Sequence, residues 1–176
     1  SYGAKPGTVW SYLSCHLQLA AAMAVVASGK EIEVLFEEYL YRPYNMTSTT
    51  WGPFAANPAI ATGITTTSDD FENMLARLLT YEVLPKRVLD QMETDLSQPP
   101  CAPSGDGWFG HYGMGHWWEC LGYGTPASYE REPLPGVCTA AHVQAGPGMF
   151  GYYPLLDRSG GGGLAGPRRP PYYFQI

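Results

Sequence analysis

The hydrophobic period of this chain changes once, at Pro99-Pro100, and the change limits what it can fold into. Before that point the apolar residues recur at helical spacing. Cys15–Ser28 is rich in alanine and ends at Gly29, a residue suited to the position just past a helix. Apolar residues surround most of this segment, so it is expected to be a buried helix, with Cys15 as a buried free thiol. Ile32, Leu35, Phe36, Tyr39 and Leu40 fall at i, i+3, i+4, i+7 and i+8, which predicts a second helix stopped by Pro43. Residues 45–67 lack a period and read as a loop with at most a short extended piece. Thr67 or Ser68 then caps a third helix with Asp69 and Asp70 in its first turn and Phe71, Met74, Leu75, Leu78 and Leu79 on its buried stripe. A fourth starts near Leu84 with Pro85 in its first turn, and Val88, Leu89 and Met92 form its apolar side.

After Pro99-Pro100 the chain reads as strand. Residues 107–123 are dense in Trp, Tyr, Phe and Gly, which suits a twisted strand with close backbone approaches. Residues 126–135 read as a loop. Met149–Leu156 is a second strand, where Pro154 points to an edge or a bulge. Residues 157–171 are a Gly-Pro-Arg connection, and Tyr172–Ile176 is a third strand. Helices followed by a run of strands predict an α/β (α+β) layered unit with an antiparallel sheet. The helical part spans about 11–97 and the strand-rich part about 105–176.

Composition removes several classes. The chain has 176 residues, 45% hydrophobic and 15% charged, which is a globular rather than a disordered balance. A net charge of −6 with scattered basic residues argues against nucleic acid as a partner. The apolar run Leu17–Val26 is too short for a membrane span. His111, His116 and Cys120 are spaced five and four apart, which on a strand does not gather them on one face, so no metal site is expected. Gly160–Gly163 lacks the Lys-Ser/Thr of a phosphate loop. Four cysteines (Cys15, Cys101, Cys120 and Cys138) and the sequon Asn45-Met46-Thr47 favour a secreted or secretory-lumen location, with a disulfide and with Asn45 as a glycosylation site. The chain opens on Ser1-Tyr2-Gly3 without Met and stops inside a strand-like segment, which reads as a cut from a longer polypeptide or a processed terminus.

One stretch carries candidate chemistry. In Pro6-Gly7-Thr8-Val9-Trp10-Ser11-Tyr12-Leu13-Ser14 a tyrosine sits at the mouth of a helix, after a Pro-Gly turn. Further on come Ser28-Gly29-Lys30, Arg42-Pro43-Tyr44-Asn45-Met46-Thr47, Gly63-Ile64-Thr65-Thr66-Thr67-Ser68-Asp69-Asp70, Tyr112-Gly113-Met114-Gly115-His116-Trp117 and Gly148-Met149-Phe150-Gly151-Tyr152-Tyr153. Their order resembles the C-terminal half of the serine β-lactamase superfamily, in its class C β-lactamase, DD-peptidase and esterase branch. The resemblance covers nearly the whole chain. It implies a β-lactamase/transpeptidase-like fold, an antiparallel sheet flanked by helices, of which residues 1–176 supply a C-terminal portion. A fragment of this kind leaves a sheet edge and an apolar face open.

The resemblance also implies a reaction. In the family a serine, followed three residues later by a lysine, attacks an acyl carbon. The tyrosine of a Tyr-x-Asn motif moves the proton, and a cation beside it makes the phenol basic enough. A basic triplet on the edge strand contacts substrate, and the strand backbone completes an oxyanion hole. Here Tyr12 takes the place of the proton-transfer tyrosine, Ser14 that of the Asn, and His142 that of the basic strand residue. Ser14 and His142 would contact a small ester, amide or peptide substrate, and no cofactor is required.

This chain departs from the pattern in three ways. No Ser-x-x-Lys occurs in it, so the nucleophile belongs upstream of Ser1. Ser14 has less reach than Asn and lacks the amide donor. His142-Val143-Gln144 lacks the glycine that lets substrate approach the strand. The rival expectation is therefore an inactive β-lactamase-like module, its partner the remainder of its own chain or a larger assembly. A ligand-binding module using Trp108, Phe109, Trp117, Trp118 and Tyr123 is a third.

Overall fold

The computed structural model describes residues 3–51, 59–96, 102–103, 112–118, 143–146, 148, 152–158 and 172–175. The chain divides into two compact units, one of Ser1–Tyr12 with Leu84–Ile176 and the other of Leu13–Val83.

Among its described residues the Leu13–Val83 unit holds the α-helices α1 (Cys15–Ser28), α2 (Ile32–Phe36) and α3 (Ser68–Leu79), and the strand pair β2 (Thr50–Trp51) and β3 (Ile64–Thr65). Helix α1 ends where the sequence predicts: Gly29 has φ of 67°, and its N–H bonds the Val25 carbonyl at 2.9 Å. Its burial differs from expectation. None of its residues is buried. Leu17, Ala21 and Val25, four residues apart, form a half-buried stripe, while Leu19, Met23 and Val26 are exposed. Cys15 is an exposed free thiol rather than a buried one. A helix that is apolar all round can bury only the faces that meet another element, and its main described neighbour is α2.

The second helix also departs from its predicted course. It is α-helical to Phe36, then widens into a π-helical turn over Glu37–Tyr41. A π turn aligns residues five apart. Phe36 stacks on Tyr41 with ring centroids 6.1 Å apart, and the Arg42 N–H bonds the Glu37 carbonyl at 3.1 Å. The widened turn shifts the phase of the stripe. Tyr39, placed by α spacing on the buried face, is 69% exposed, while Tyr41 is half-buried.

Helix α3 follows its sequence closely. The Thr67 hydroxyl accepts the Asp70 backbone N–H at 3.2 Å, the N-cap bond, and Leu75 is buried at the centre of the stripe. Asp70 is itself buried, and its carboxylate reaches back to the Tyr44–Trp51 segment. It accepts the Ser48 N–H and the Thr49 hydroxyl, each at 2.7 Å. The Thr49 hydroxyl also lies 2.7 Å from that of Thr66. Tyr44, Met46, Trp51 and Leu75 form the unit's core. Phe36 meets the Trp51 ring edge to face at 4.6 Å. Gly63 lies so close to that ring that a Cβ there would fall 2.8 Å from it. The stretch read as a loop thus contains a two-residue antiparallel pairing, Thr50 opposite Thr65 and Trp51 opposite Ile64.

The other unit carries the sheet. Strand β1 (Val9–Trp10) pairs in parallel with β4 (Ala102–Pro103). Helix α4 is Lys86–Met92, with Pro85 just before it rather than inside its first turn and Leu89 buried. A four-stranded antiparallel meander follows in the order β5 (Trp117–Trp118), β6 (Val143–Ala145), β7 (Tyr153–Asp157) and β8 (Tyr172–Gln175). Trp117, Trp118, Val143, Ala145, Leu155 and Leu156 are among its buried side chains, with Val143 fully enclosed. Strand β7, where Pro154 pointed to an edge or a bulge, is an interior strand. In an antiparallel ladder a residue's N–H and C=O point to the same neighbour. The Pro154 carbonyl accepts the Gly146 N–H at 3.1 Å, one residue past the end of β6. The missing donor therefore falls where β6 has already stopped, and no mid-ladder bond is lost.

Candidate active site

The segment bearing Tyr12 is set by local chemistry. The Thr8 N–H and hydroxyl both bond the Lys5 carbonyl, at 3.2 and 2.7 Å. Pro6 and Gly7 are the central residues of that turn, and Gly7 has φ of 77°, the left-handed value that a type II turn requires there. The turn delivers the chain into β1, and Tyr12 follows two residues after the strand ends.

Tyr12 is half exposed, at 50%. Its ring packs on two others from the same unit. It meets Tyr112 at 5.8 Å with planes 80° apart, and Trp117 at 5.2 Å with planes 43° apart. Tyr112 and Trp117 meet each other edge to face at 4.7 Å. The three rings form a mutually contacting triangle, two of its pairs in the preferred edge-to-face geometry.

Tyr112 and Trp117 are the bridged ends of one tight hairpin. The Gly113 N–H bonds the His116 carbonyl at 2.9 Å, and Gly115 has φ of 91°. The hairpin is fastened to the end of α4. The Met114 N–H bonds the Met92 carbonyl at 2.7 Å, and the Leu96 N–H bonds the Tyr112 carbonyl at 2.8 Å. A Cβ on Gly113 would lie 2.5 Å from the Met92 carbonyl oxygen, so only glycine fits. The two glycines of Tyr-Gly-x-Gly-x-Trp thus have separate duties, one backbone contact and one left-handed turn. Burial, and after it the charge of Tyr12, pushes the Tyr112 phenol up to about 12. His116 is lowered from its ordinary value. Burial is the main cause, a backbone hydrogen bond at Met114 opposes it, and the Arg158 charge adds to it. The Arg158 Nε bonds both carboxylate oxygens of Glu93, at 2.9 and 3.2 Å, in a largely buried ion pair.

The other predicted residues fare differently. Ser14 stands at the N-cap of α1, where its carbonyl accepts the Leu17 and Gln18 N–H groups and its side chain makes no cap bond. It belongs to the Leu13–Val83 unit, whereas Tyr12 closes the N-terminal stretch of the other. His142 lies outside the described residues, as do Cys101, Cys120 and Cys138, on which the expected disulfide depends. The strand that follows His142 is informative. Val143, Gln144 and Ala145 are all buried, and Gln144 and Ala145 have strand partners on both sides, so β6 is not the edge strand that the motif implied. Among the described residues the buried Gln144 amide has no hydrogen-bond partner at either its nitrogen or its oxygen. Asn45 is exposed, with φ of 56°, and its carbonyl accepts the Asn73 side-chain N–H at 3.3 Å. The sequence named Tyr112 only as a motif residue and Trp117 as a motif residue and a member of the aromatic cluster, with no role beside Tyr12 for either. The signal was the pair of glycines, which announces a rigid turn and hence a fixed direction for its flanking rings.

Comparison with known proteins agrees with this architecture. The beta-lactamase family model matches residues 3–153. No curated protein matches the chain. Among solved structures, a candidate beta-lactamase from Bacteroides dorei superposes with a TM-score of 0.67 at 26% identity, covering 88% of this chain and 48% of that one. A beta-lactamase from Mycobacterium bovis gives 0.62 at 21% identity, covering 88% and 54%. A D-stereospecific amidohydrolase from Streptomyces gives 0.60 at 18%, covering 89% and 49%. The chain spans about half the length of each of these structures. With a family match that runs from the Pro-Gly turn through Tyr12 and the hairpin to the third strand of the sheet, the chain belongs to the beta-lactamase family.

Proposed function

We propose that this chain is the C-terminal portion of a β-lactamase-related serine hydrolase that transfers an acyl group through an acyl-serine. The observation that supports it most is the family match over residues 3–153, which includes the Pro6–Ser14 turn, strand and helix start that carry Tyr12. In this reading the nucleophilic Ser-x-x-Lys is contributed by sequence upstream of residue 1. The serine adds to an ester or amide carbonyl while its proton passes to the Tyr12 phenolate. The same phenol then protonates the departing alcohol or amine, and water reverses the sequence on the acyl-serine. Ser14 and His142 contact substrate. Asn45 bears a glycan in a secretory compartment; its exposure supports this, and mass analysis before and after deglycosylation tests it.

The test is covalent labelling of the full natural polypeptide by a fluorophosphonate, together with hydrolysis of p-nitrophenyl esters. An adduct on a serine outside this chain, with turnover that falls at least 100-fold in Tyr12→Phe, supports the hydrolase. No adduct and no turnover sinks it.

A second reading, an inactive β-lactamase-like module, draws on a specific observation. Gln144 stands where the family motif has glycine, and it lies buried in a strand paired on both sides. Ser14 in place of Asn points the same way. Turnover abolished by Tyr12→Phe would remove this reading.

A further inference from the structure

We propose that Tyr112 and Trp117 are positioning residues for the Tyr12 phenol, whose ring they hold in one orientation at the surface of the sheet unit. The proposal rests on the reading of Tyr12 as the proton-transfer group.

Three observations carry it. The first is the triangle of rings: Tyr12 touches both Tyr112 and Trp117, at 5.8 and 5.2 Å, and these touch each other at 4.7 Å. A half-exposed tyrosine has a free choice of rotamers unless neighbours remove it. Two rings set at different angles remove it on two sides. The second is the stiffness of the seat. Both neighbours stand at the mouth of a hairpin closed by their own bridge and bonded through Met114 and Leu96 to the α4 segment. Trp117 is in addition buried in the sheet core. The third is chemical. Tyr112 keeps its proton to about pH 12, so it stands beside Tyr12 as a neutral ring at any working pH. It can support a proton-transfer phenol without exchanging protons in its place. Proton transfer depends strongly on the placement of the base, and a supporting shell locked by packing supplies that placement.

The experiment reads Tyr12 directly in the full natural polypeptide. Tyrosine is labelled with 13C in the ring, and Tyr12→Phe identifies the Tyr12 ring signals. The expected result is a pair of Tyr12 signals displaced from the free-tyrosine position by the neighbouring rings. They move towards that position in Tyr112→Leu and stay in place in Tyr112→Phe, which keeps the ring and loses only the hydroxyl. Tyr12 signals at the free position, or unmoved by Tyr112→Leu in a variant that retains its far-ultraviolet circular dichroism, would overturn the proposal. Gly113→Ala forces the hairpin off α4 and is expected to move the Tyr12 signals as Tyr112→Leu does; no movement there would also overturn it.

The full polypeptide adds the functional readout. Tyr112→Leu is expected to lower kcat at least tenfold with KM little changed, and Tyr112→Phe to restore it. Should Tyr12→Phe leave hydrolysis intact, the base assignment fails while the spectroscopic result still decides whether the seat exists.

Discussion

Asp70 is the residue whose removal should cost the Leu13–Val83 unit most for a single side chain. It is buried, it accepts the Ser48 N–H and the Thr49 hydroxyl at 2.7 Å each, and it ties α3 to a segment more than twenty residues away. Hydrogen bonds to a charged group are worth about 1.5–3 kcal/mol each. Ser48 is exposed, so water can replace its lost acceptor, and that bond counts at the low end. Thr49 is buried but keeps Thr66 as an alternative partner, which also moderates its loss. The first-turn charge adds about 0.5 kcal/mol through the helix dipole. Asp70→Ala should therefore cost about 3–4 kcal/mol. With a urea slope of about 2 kcal/mol/M, the unfolding midpoint followed by circular dichroism at 222 nm falls by roughly 1.5–2 M. Asp69→Ala is the control, since Asp69 is exposed in the same turn and should cost no more than about 0.5 kcal/mol. Thr49→Val should cost about 1–2 kcal/mol, and combining it with Asp70→Ala should cost less than the sum because the two share a bond. A midpoint shift for Asp70→Ala no larger than that of Asp69→Ala would refute the reasoning.

Three further outcomes are expected. Gln144→Leu should stabilise the protein by about 1–2 kcal/mol, because it replaces a buried amide that has no partner among the described residues by an apolar side chain of similar size; a destabilisation in the same urea titration would show that the amide is satisfied. Glu93→Ala removes the carboxylate that the largely buried Arg158 guanidinium bonds, and should cost about 3 kcal/mol; a thermal midpoint equal to the parent's would refute this. His116 titrates in the folded state below its unfolded value near 6.5, so the unfolded chain binds more protons in the interval between them. Stability is full above about pH 6.5 and is lost as pH falls through the folded value. The urea midpoint difference between pH 7.5 and 5 should shrink in His116→Phe relative to the parent, and equal differences would exclude His116 as the titrating group.

Much of the local structure was legible in the sequence. Pro6-Gly7 specified a type II turn because proline presets one dihedral and glycine alone takes the next without strain. Thr67-Ser68 marked the start of α3, where Thr67 is the cap, and Gly29 the end of α1, because a cap satisfies backbone groups that the helix itself cannot. The ordered motifs specified the family, and Tyr12 stood out because it fell at a fixed offset from a readable turn. These are features settled within a few residues, by dihedral preference and nearby hydrogen bonds.

What tertiary structure alone decided lies across longer separations. The π turn that turned Tyr39 outward follows from ring and backbone contacts five residues apart that a 3.6-residue period does not count. Pro154 could sit in an interior strand because β6 stops beside it, a fact about another strand's length. Burial of α1 failed because hydrophobicity states what a helix would bury, whereas an opposing surface decides whether it does. The rings beside Tyr12 come from positions one hundred residues on, and no local period links them. The sequence by itself determined the turns, the caps and the family order. Only the folded chain decided which distant side chains meet, because pair contacts depend on where whole elements stop and on which faces find a partner.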